Sequence, residues 1–330
     1  IEKLCALEGT EDGVLFSSGM AALTTVLMTL LGSGDHAVVQ DDIYGGTHAF
    51  ITGHFNRYGI GYTMIPNDTR AVEEAIEPST KLIFIESPTN PLLKVMDIRG
   101  VVSAARDRGV TTMIDNTFAT PINQNPALLG VDVVVHSGTK YLGGHSDLCC
   151  GAALGGSTIV KAIRHTALSL GGSLNALSCW LLERSLKTLS VRVERQTENA
   201  GRIARYLAAH PSVRAVHYPG LESHPSHGIA RSQMRGFGAM LSFEPNPERS
   251  TAAGVLSRLK LITPALSLGG VETIICEPAT TSHQKVTPAV RKRLGISDDL
   301  LRLSVGIEHT DDLVADLEQA LSGSGKASGR

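Results

Sequence analysis

Short runs of β-branched and aliphatic residues recur through the first half of the chain, and most of them stop abruptly in small or polar residues. Val14 to Phe16, His36 to Gln40, Lys81 to Glu86, Val110 to Ile114 and Val131 to Val135 read as strands of this kind. Apolar residues at helical spacing lie between some of them, from Met20 to Leu31 and roughly from Asp97 to Arg108. Strands and helices that alternate over crossovers of this length predict an α/β chain with a mostly parallel sheet. In such sheets ligands bind at the carboxyl ends of the strands.

Those ends carry unusual side chains. After Val135 comes HSGTKYLGGHSD, in which Lys140 is flanked by the hydroxyls of Ser137 and Thr139 and by Gly138, Gly143 and Gly144. A solvated lysine in a glycine-rich turn is the plain alternative to a reactive amine. After Phe16, Ser17-Ser18-Gly19 opens the strongly apolar helix. A serine there is a good N-cap, and free N–H groups at Ser18, Gly19 and Met20 would suit a phosphate. Capping alone also explains the serines.

Tyr44 stands before Gly45-Gly46, where an aromatic ring could stack on a flat cofactor or simply pack over a turn. Asn90 sits between Pro88 and Pro91. Asp115 follows the buried-looking run TTMI, and a carboxylate there needs a cation or several donors. Lysine, anion cup, flat aromatic and buried acid together match the needs of pyridoxal phosphate: an amine for the aldehyde, donors for the phosphate, a cover for the ring and a partner for its nitrogen.

Beyond Gly151 helical segments are expected at Thr158 to Leu168 and Leu174 to Leu189, then a linking helix from about Val191 to Ala209. Residues 1–190 would form a cofactor-binding domain and 191–330 a second, α+β domain. Its strands are expected at Val213 to His217, Gly238 to Phe243, Val271 to Cys276 and Leu301 to Val305, in an antiparallel sheet covered on one side by helices. Arg302 lies within the last of these, and a buried arginine calls for an anion. His217, His224 and His227 match no familiar zinc spacing, so no metal is expected. The closing SGSGKASGR reads as a flexible tail.

Composition removes other classes. A net charge of −2 provides no field for gathering nucleic acid or an anionic membrane. Five cysteines without CxxC spacing suit a reducing, cytoplasmic setting, and no stretch is long and apolar enough for a membrane span. No GxGxxG after a strand, P-loop or GxSxG is present. A non-catalytic binding or dimerisation module that kept the fold is the alternative from another class.

The chain also resembles the Cys/Met-metabolism (transsulfuration) group of fold-type I pyridoxal-phosphate enzymes, which includes cystathionine lyases and synthases and methionine lyase. The resemblance rests on SSGMAA at Ser17, YGGT at Tyr44, ESPTNP at Glu86, IDNTFATP at Ile114, SGTKYLGGHSD at Ser137, SLGGVET at Ser267 and RLSVGIE at Arg302. It implies a mostly parallel seven-stranded sheet between helices and a smaller C-terminal α+β domain. It makes Lys140 the Schiff-base lysine, Asp115 the partner of the pyridine nitrogen, and Tyr44 a ring-stacking residue that assists proton transfer. Gly19, Met20, Ser137 and Thr139 would hold the phosphate, with Asn90 near the ring hydroxyl and Thr117 beneath the ring. Arg302 would take the substrate α-carboxylate, with Ser267 and Asn90 nearby.

The expected activity is a carbon-sulfur lyase acting on cystathionine or a similar thioether amino acid, with cystathionine γ-synthase as runner-up. Gly46 resembles the cystathionine enzymes, whereas methionine γ-lyases usually carry cysteine there. The uncharged Leu266 favours elimination over γ-replacement. The resemblance further implies a homotetramer, a dimer of dimers with shared active sites. It also implies a Tyr-x-Arg segment upstream of Ile1 that reaches a neighbour's phosphate site, so this chain alone is expected to hold its cofactor more weakly.

Overall fold

The computed structural model describes residues 1–282, 284 and 287–322; all but the first residue of the expected C-terminal tail lies outside them. Seven strands form the first sheet: β1 (Asp12–Phe16), β2 (His36–Gln40), β3 (Gly61–Ile65), β4 (Thr80–Glu86), β5 (Thr111–Asp115), β6 (Val133–Ser137) and β7 (Gly151–Gly155). Their order is β1-β7-β6-β5-β4-β2-β3. Six strands run the same way, and β7 alone opposes its neighbours β1 and β6. The mostly parallel α/β class read from the sequence is the fold observed.

Strands β2, β4 and β6 are buried on both faces, which is why they read as continuous apolar runs. In β4, Leu82, Ile83, Phe84 and Ile85 are all at most 2% exposed. Each such side chain contributes about 1.5–3 kcal/mol by leaving water. The Gly19–Leu30 helix buries Ala22, Leu23, Val26 and Leu27 against one face. On the other face the Ile98–Arg106 helix buries Ile98, Val101, Val102 and Ala105, and Asp97 caps it by accepting the Gly100 N–H at 3.2 Å.

Two strands differ from expectation. The segment at Gly151 is β7 before it becomes the Ser157–Leu170 helix. Its sequence, GAALG, carries no β-branched residue and forms a strand because β1 and β6 pair with it on either side. β3, GYTMI, is an edge strand with alternating exposure that no continuous apolar run announces. The single helix expected over 174–189 is instead a helix over Ala176–Leu186, a break at Lys187-Thr188, and the start of a long helix over Leu189–Ala209.

The second sheet has order β10-β11-β12-β9-β8, built from β8 (Val213–His217), β9 (Met240–Pro245), β10 (Thr263–Pro264), β11 (Ile274–Cys276) and β12 (Leu301–Ser304). It is antiparallel except at its edge, where β10 pairs with β11 in parallel. The Leu189–Ala209 helix buries residues 189, 193, 196, 200, 203 and 207 along one stripe. Ile203 of that stripe shares one apolar cluster with Leu4, Tyr141 and Leu142 of the first half and with Leu241, Leu301 and Leu303 of the second sheet.

Candidate active site

β6 ends at Ser137, and the turn after it carries Lys140 to the carboxyl edge of the sheet. The turn is closed by backbone bonds from Lys140 N–H to Ser137 O at 3.1 Å, Gly143 N–H to Gly138 O at 2.8 Å and Gly144 N–H to Lys140 O at 2.7 Å. Arg192 supports it from the long helix, donating Nη1 to Tyr141 O at 2.8 Å and Nη2 to Ser185 O at 3.1 Å. Burial lowers the pKa of this guanidinium to about 10.

Lys140 Nζ donates to Ser267 Oγ at 2.8 Å. Burial lowers its pKa, and the charge of Arg302 lowers it further. Ser267 has φ 89°, and Gly269 follows at φ +78°, where a Cβ would fall 2.8 Å from Tyr141 N. Glycine is therefore needed for SLGG to lie against the lysine turn. Gln196 Nε2 fastens the same segment by donating to Gly270 O at 2.6 Å and Val305 O at 3.1 Å.

Arg302, in β12, is 4% exposed. Its Nη1 donates to Asn90 Oδ1 at 3.0 Å and its Nη2 to Ser267 O at 2.9 Å. Both acceptors are neutral, and Nε has no partner among the described residues. A buried guanidinium in this condition is suited to receive a carboxylate.

Two acids end neighbouring strands. Glu86 and Asp115 are partners in the β4–β5 register. Burial raises the pKa of Glu86 well above the usual carboxylate range, and the charge of Asp115 adds to it. Burial likewise raises Asp115, although its Oδ1 accepts the Thr117 N–H at 2.9 Å. Two like charges here favour a cation between or beside them. Glu86 Oε2 also accepts the N–H of Tyr44 at 2.7 Å, which ties the aromatic loop to the acids. Tyr44 itself is half exposed, and a Cβ at Gly46 would fall 2.5 Å from its ring.

Ser18 caps the Gly19–Leu30 helix: its Oγ accepts the Ala21 N–H at 3.0 Å, and its carbonyl accepts the Ala22 N–H at 3.1 Å. The N–H groups of Gly19 and Met20 remain at the helix end for an anion. A Cβ on Gly19 would lie 2.8 Å from Ser137 Cβ, so the helix end abuts the start of the lysine turn only because residue 19 is glycine. Ser137 N–H donates to Thr117 Oγ1 at 2.8 Å, linking the cup to the acids. Thr139 Oγ1 is occupied with the Cys150 backbone, accepting its N–H at 3.1 Å.

The structure thus gathers the residues singled out in the sequence around one edge. Glu86, Arg192 and Gln196 receive no role from sequence reasoning. The signal for Glu86 was available, because a carboxylate ends KLIFI just as Asp115 ends TTMI. The three histidines take separate partners: His217 Nε2 lies 3.3 Å from Glu244 Oε1, His224 Nε2 3.4 Å from Leu92 O, and His227 Nδ1 2.8 Å from Pro219 O.

A family model described as Cys/Met metabolism PLP-dependent enzyme matches residues 1–322. The chain belongs to this family. It is 47% identical over 317 residues to a cystathionine γ-lyase of Bacillus subtilis (strain 168), covering 96% of this chain and 83% of that one. A cystathionine β-lyase of the same strain is 45% identical over 322 residues, covering 97% and 82%. A crystal structure of cystathionine γ-synthase from Xanthomonas oryzae pv. oryzae, in complex with aminoacrylate and cysteine, superimposes with TM-score 0.94 at 40% identity, covering 97% and 84%. The chain is accordingly an enzyme of sulfur amino acid metabolism, and its cofactor is pyridoxal 5′-phosphate. The residues present fit that group: the helix-end N–H groups of Gly19 and Met20, a partly buried amine of lowered pKa and an acid pair that favours a cation.

Proposed function

We propose that this chain is a carbon-sulfur lyase that cleaves cystathionine or a similar thioether amino acid to a thiol, ammonia and a 2-oxo acid. The observation that carries the reading is the joint placement of Lys140 Nζ and Arg302 on Ser267, one on its hydroxyl and one on its carbonyl. An amino acid whose carboxylate meets Arg302 then has its Cα near the lysine amine. The cofactor, when bound, supplies an electron-poor ring that stabilises negative charge at Cα.

Lys140 would hold the cofactor aldehyde, and Nζ, once released by substrate, would take the Cα proton. Its lowered pKa makes the neutral amine more available for that task. Asp115 would hold the proton at the pyridine nitrogen, and Tyr44 would cover the ring and assist proton transfer. Ser18, Gly19, Met20, Ser137 and Thr139 would surround the phosphate, with Thr117 beneath the ring and Asn90 near its hydroxyl. Arg302, Ser267 and Asn90 would orient the substrate. A thiol at Cβ then leaves directly, whereas a leaving group at Cγ requires a second deprotonation, at Cβ.

Product analysis with cystathionine tests the reading. Pyruvate with homocysteine means β-cleavage, 2-oxobutyrate with cysteine means γ-cleavage, and neither product refutes the lyase. Lys140→Ala should lose the visible absorbance of the covalently held cofactor and at least about 10²-fold of activity. The likeness to the γ-synthase structure supports a second reading, γ-replacement on an O-acylhomoserine, which would appear as cystathionine formed from that ester and cysteine. Methionine γ-lyase is less favoured, since a side chain at position 46 would displace the Tyr44 ring.

We also infer a division into units 1–190 and 191–330, a homotetramer with shared active sites, and a cytoplasmic setting. The exposed Leu168, Leu170, Leu177 and Trp180 support self-association, and five unpaired cysteines support the compartment. Among the described residues no helix is long and apolar enough to cross a membrane.

A further inference from the structure

Asn90, whose Oδ1 accepts Nη1 of Arg302, opens a turn that the second half of the chain grips residue by residue. Ser242 of β9 donates its hydroxyl to Pro91 O at 2.7 Å, and His224 Nε2 lies 3.4 Å from Leu92 O. Ser226 Oγ accepts the Val95 N–H at 3.1 Å, and Gln233 Nε2 donates to Met96 O at 2.9 Å. Leu92 itself is buried with Ile296 and Leu300. Within the turn Leu93 has φ 58°, a left-handed conformation that a non-glycine residue keeps only where its surroundings enforce it. These side chains supply the enforcement.

The neighbours of His224 decide which of its nitrogens carries hydrogen. The Ser226 N–H meets Nδ1 at 3.2 Å, so Nδ1 accepts; a carbonyl oxygen faces Nε2, so Nε2 donates. Both bonds exist together only in the neutral imidazole, because a proton on Nδ1 would confront another donor. Burial favours that form by lowering the pKa from its ordinary 6.5; the Leu92 carbonyl acts the other way, and charge on His217 or His227 lowers it further. His217, on β8, faces Glu244, and His227 Nδ1 meets Pro219 O. Lys94, the charged residue of the gripped turn, pairs with Asp42 at 3.2 Å, and Glu222 is exposed.

We infer that His224 is a positioning residue for Asn90: as the neutral imidazole it steadies the turn over residues 91–95, and through it the acceptor that aligns Arg302 for a carboxylate. A proton on His224 then loosens a binding site that the imidazole does not touch. This role rests on the reading of Arg302 above as the receptor of the substrate carboxylate, and it adds a support that responds to pH.

The test titrates L-norleucine, an amino acid without a leaving group, into the cofactor-loaded enzyme, so that binding is read apart from cleavage. His224→Asn keeps an acceptor for the Ser226 N–H but is too short for Leu92 O. It should weaken norleucine about 3- to 10-fold at neutral pH, the net worth of one hydrogen bond. His224→Gln places an amide nitrogen at the reach of Nε2 and cannot titrate. It should restore most of the affinity, and it should lose less of it than the unaltered enzyme as pH falls below 6.5. Ser242→Ala removes a neighbouring grip that has no titrating group, and should weaken norleucine by a similar factor at every pH. Full affinity in His224→Asn overturns the role, as does the same pH dependence in the unaltered and His224→Gln enzymes. An affinity in the unaltered enzyme that does not fall on the acid side of 6.5 overturns it without any variant. Arg302→Gln separates the two claims: norleucine held as tightly by it as by the unaltered enzyme refutes the carboxylate site and the support with it. Weakening by Arg302→Gln but by none of the His224 and Ser242 changes refutes the support alone.

Discussion

Two influences hold the Lys140 amine toward its neutral form: burial first, then the charge of Arg302. Both act against the protonated state, so the pKa of Nζ falls below the ordinary 10.5. As pH drops through that lowered value the amine gains a proton and can no longer act as a base. The acid limb of kcat is therefore expected below the usual lysine range. Arg302→Gln removes one of the two influences and should move that limb to higher pH, besides raising KM. A limb that stays in place in a pH-rate series would contradict the assignment of Lys140 as the base. At this scale Lys140, Asp115 and Arg302 were legible because each interrupts an apolar or glycine-rich setting where its charge needs a reason. Arg192 was not, since nothing in LSVRVERQ distinguishes the arginine whose donors all meet neutral oxygens from those facing solvent.

Among the elements, the Gly19–Leu30 helix does two things at once: its apolar stripe packs on the sheet, and its first turn abuts Ser137. Gly19→Ala would push a methyl to 2.8 Å from Ser137 Cβ. The expected cost is about 1–3 kcal/mol of stability, typical of overpacking. Weaker cofactor loading, by about tenfold or more for each 1.4 kcal/mol felt at the cup, should accompany it in an absorbance titration. Unaltered loading would separate the helix end from the phosphate. The elements themselves were readable where strands are buried on both faces, as in β4 and β6. β7 was not, because small residues between two partner strands carry no hydrophobic signature. β3 escaped notice because its residues alternate between exposed and partly buried, which leaves no continuous apolar run.

Across the whole molecule, Leu168, Leu170, Leu177 and Trp180 leave apolar surface in water within a stretch of thirteen positions, 168–180. Trp180 is the only tryptophan and is 59% exposed in the single chain. If this surface is where copies meet, tryptophan emission should shift to shorter wavelength as concentration drives assembly. Trp180→Glu should yield a smaller species in sedimentation. Emission and mass that do not change with concentration would count against the tetramer. The Glu86–Asp115 pair reaches this scale too. Stability lent by acids of raised pKa is present below their ordinary 4.5 and 3.8 and is lost as pH rises through the folded-state values. A positively charged ring wedged against them would offset that loss. The difference in melting temperature between loaded and unloaded protein should therefore widen toward neutral pH, and Glu86→Gln should narrow it; parallel melting curves would disprove the link. On this view pyridoxal phosphate is a building component as well as a reagent, and the protein's resistance to heat becomes a readout of how alkaline its surroundings are.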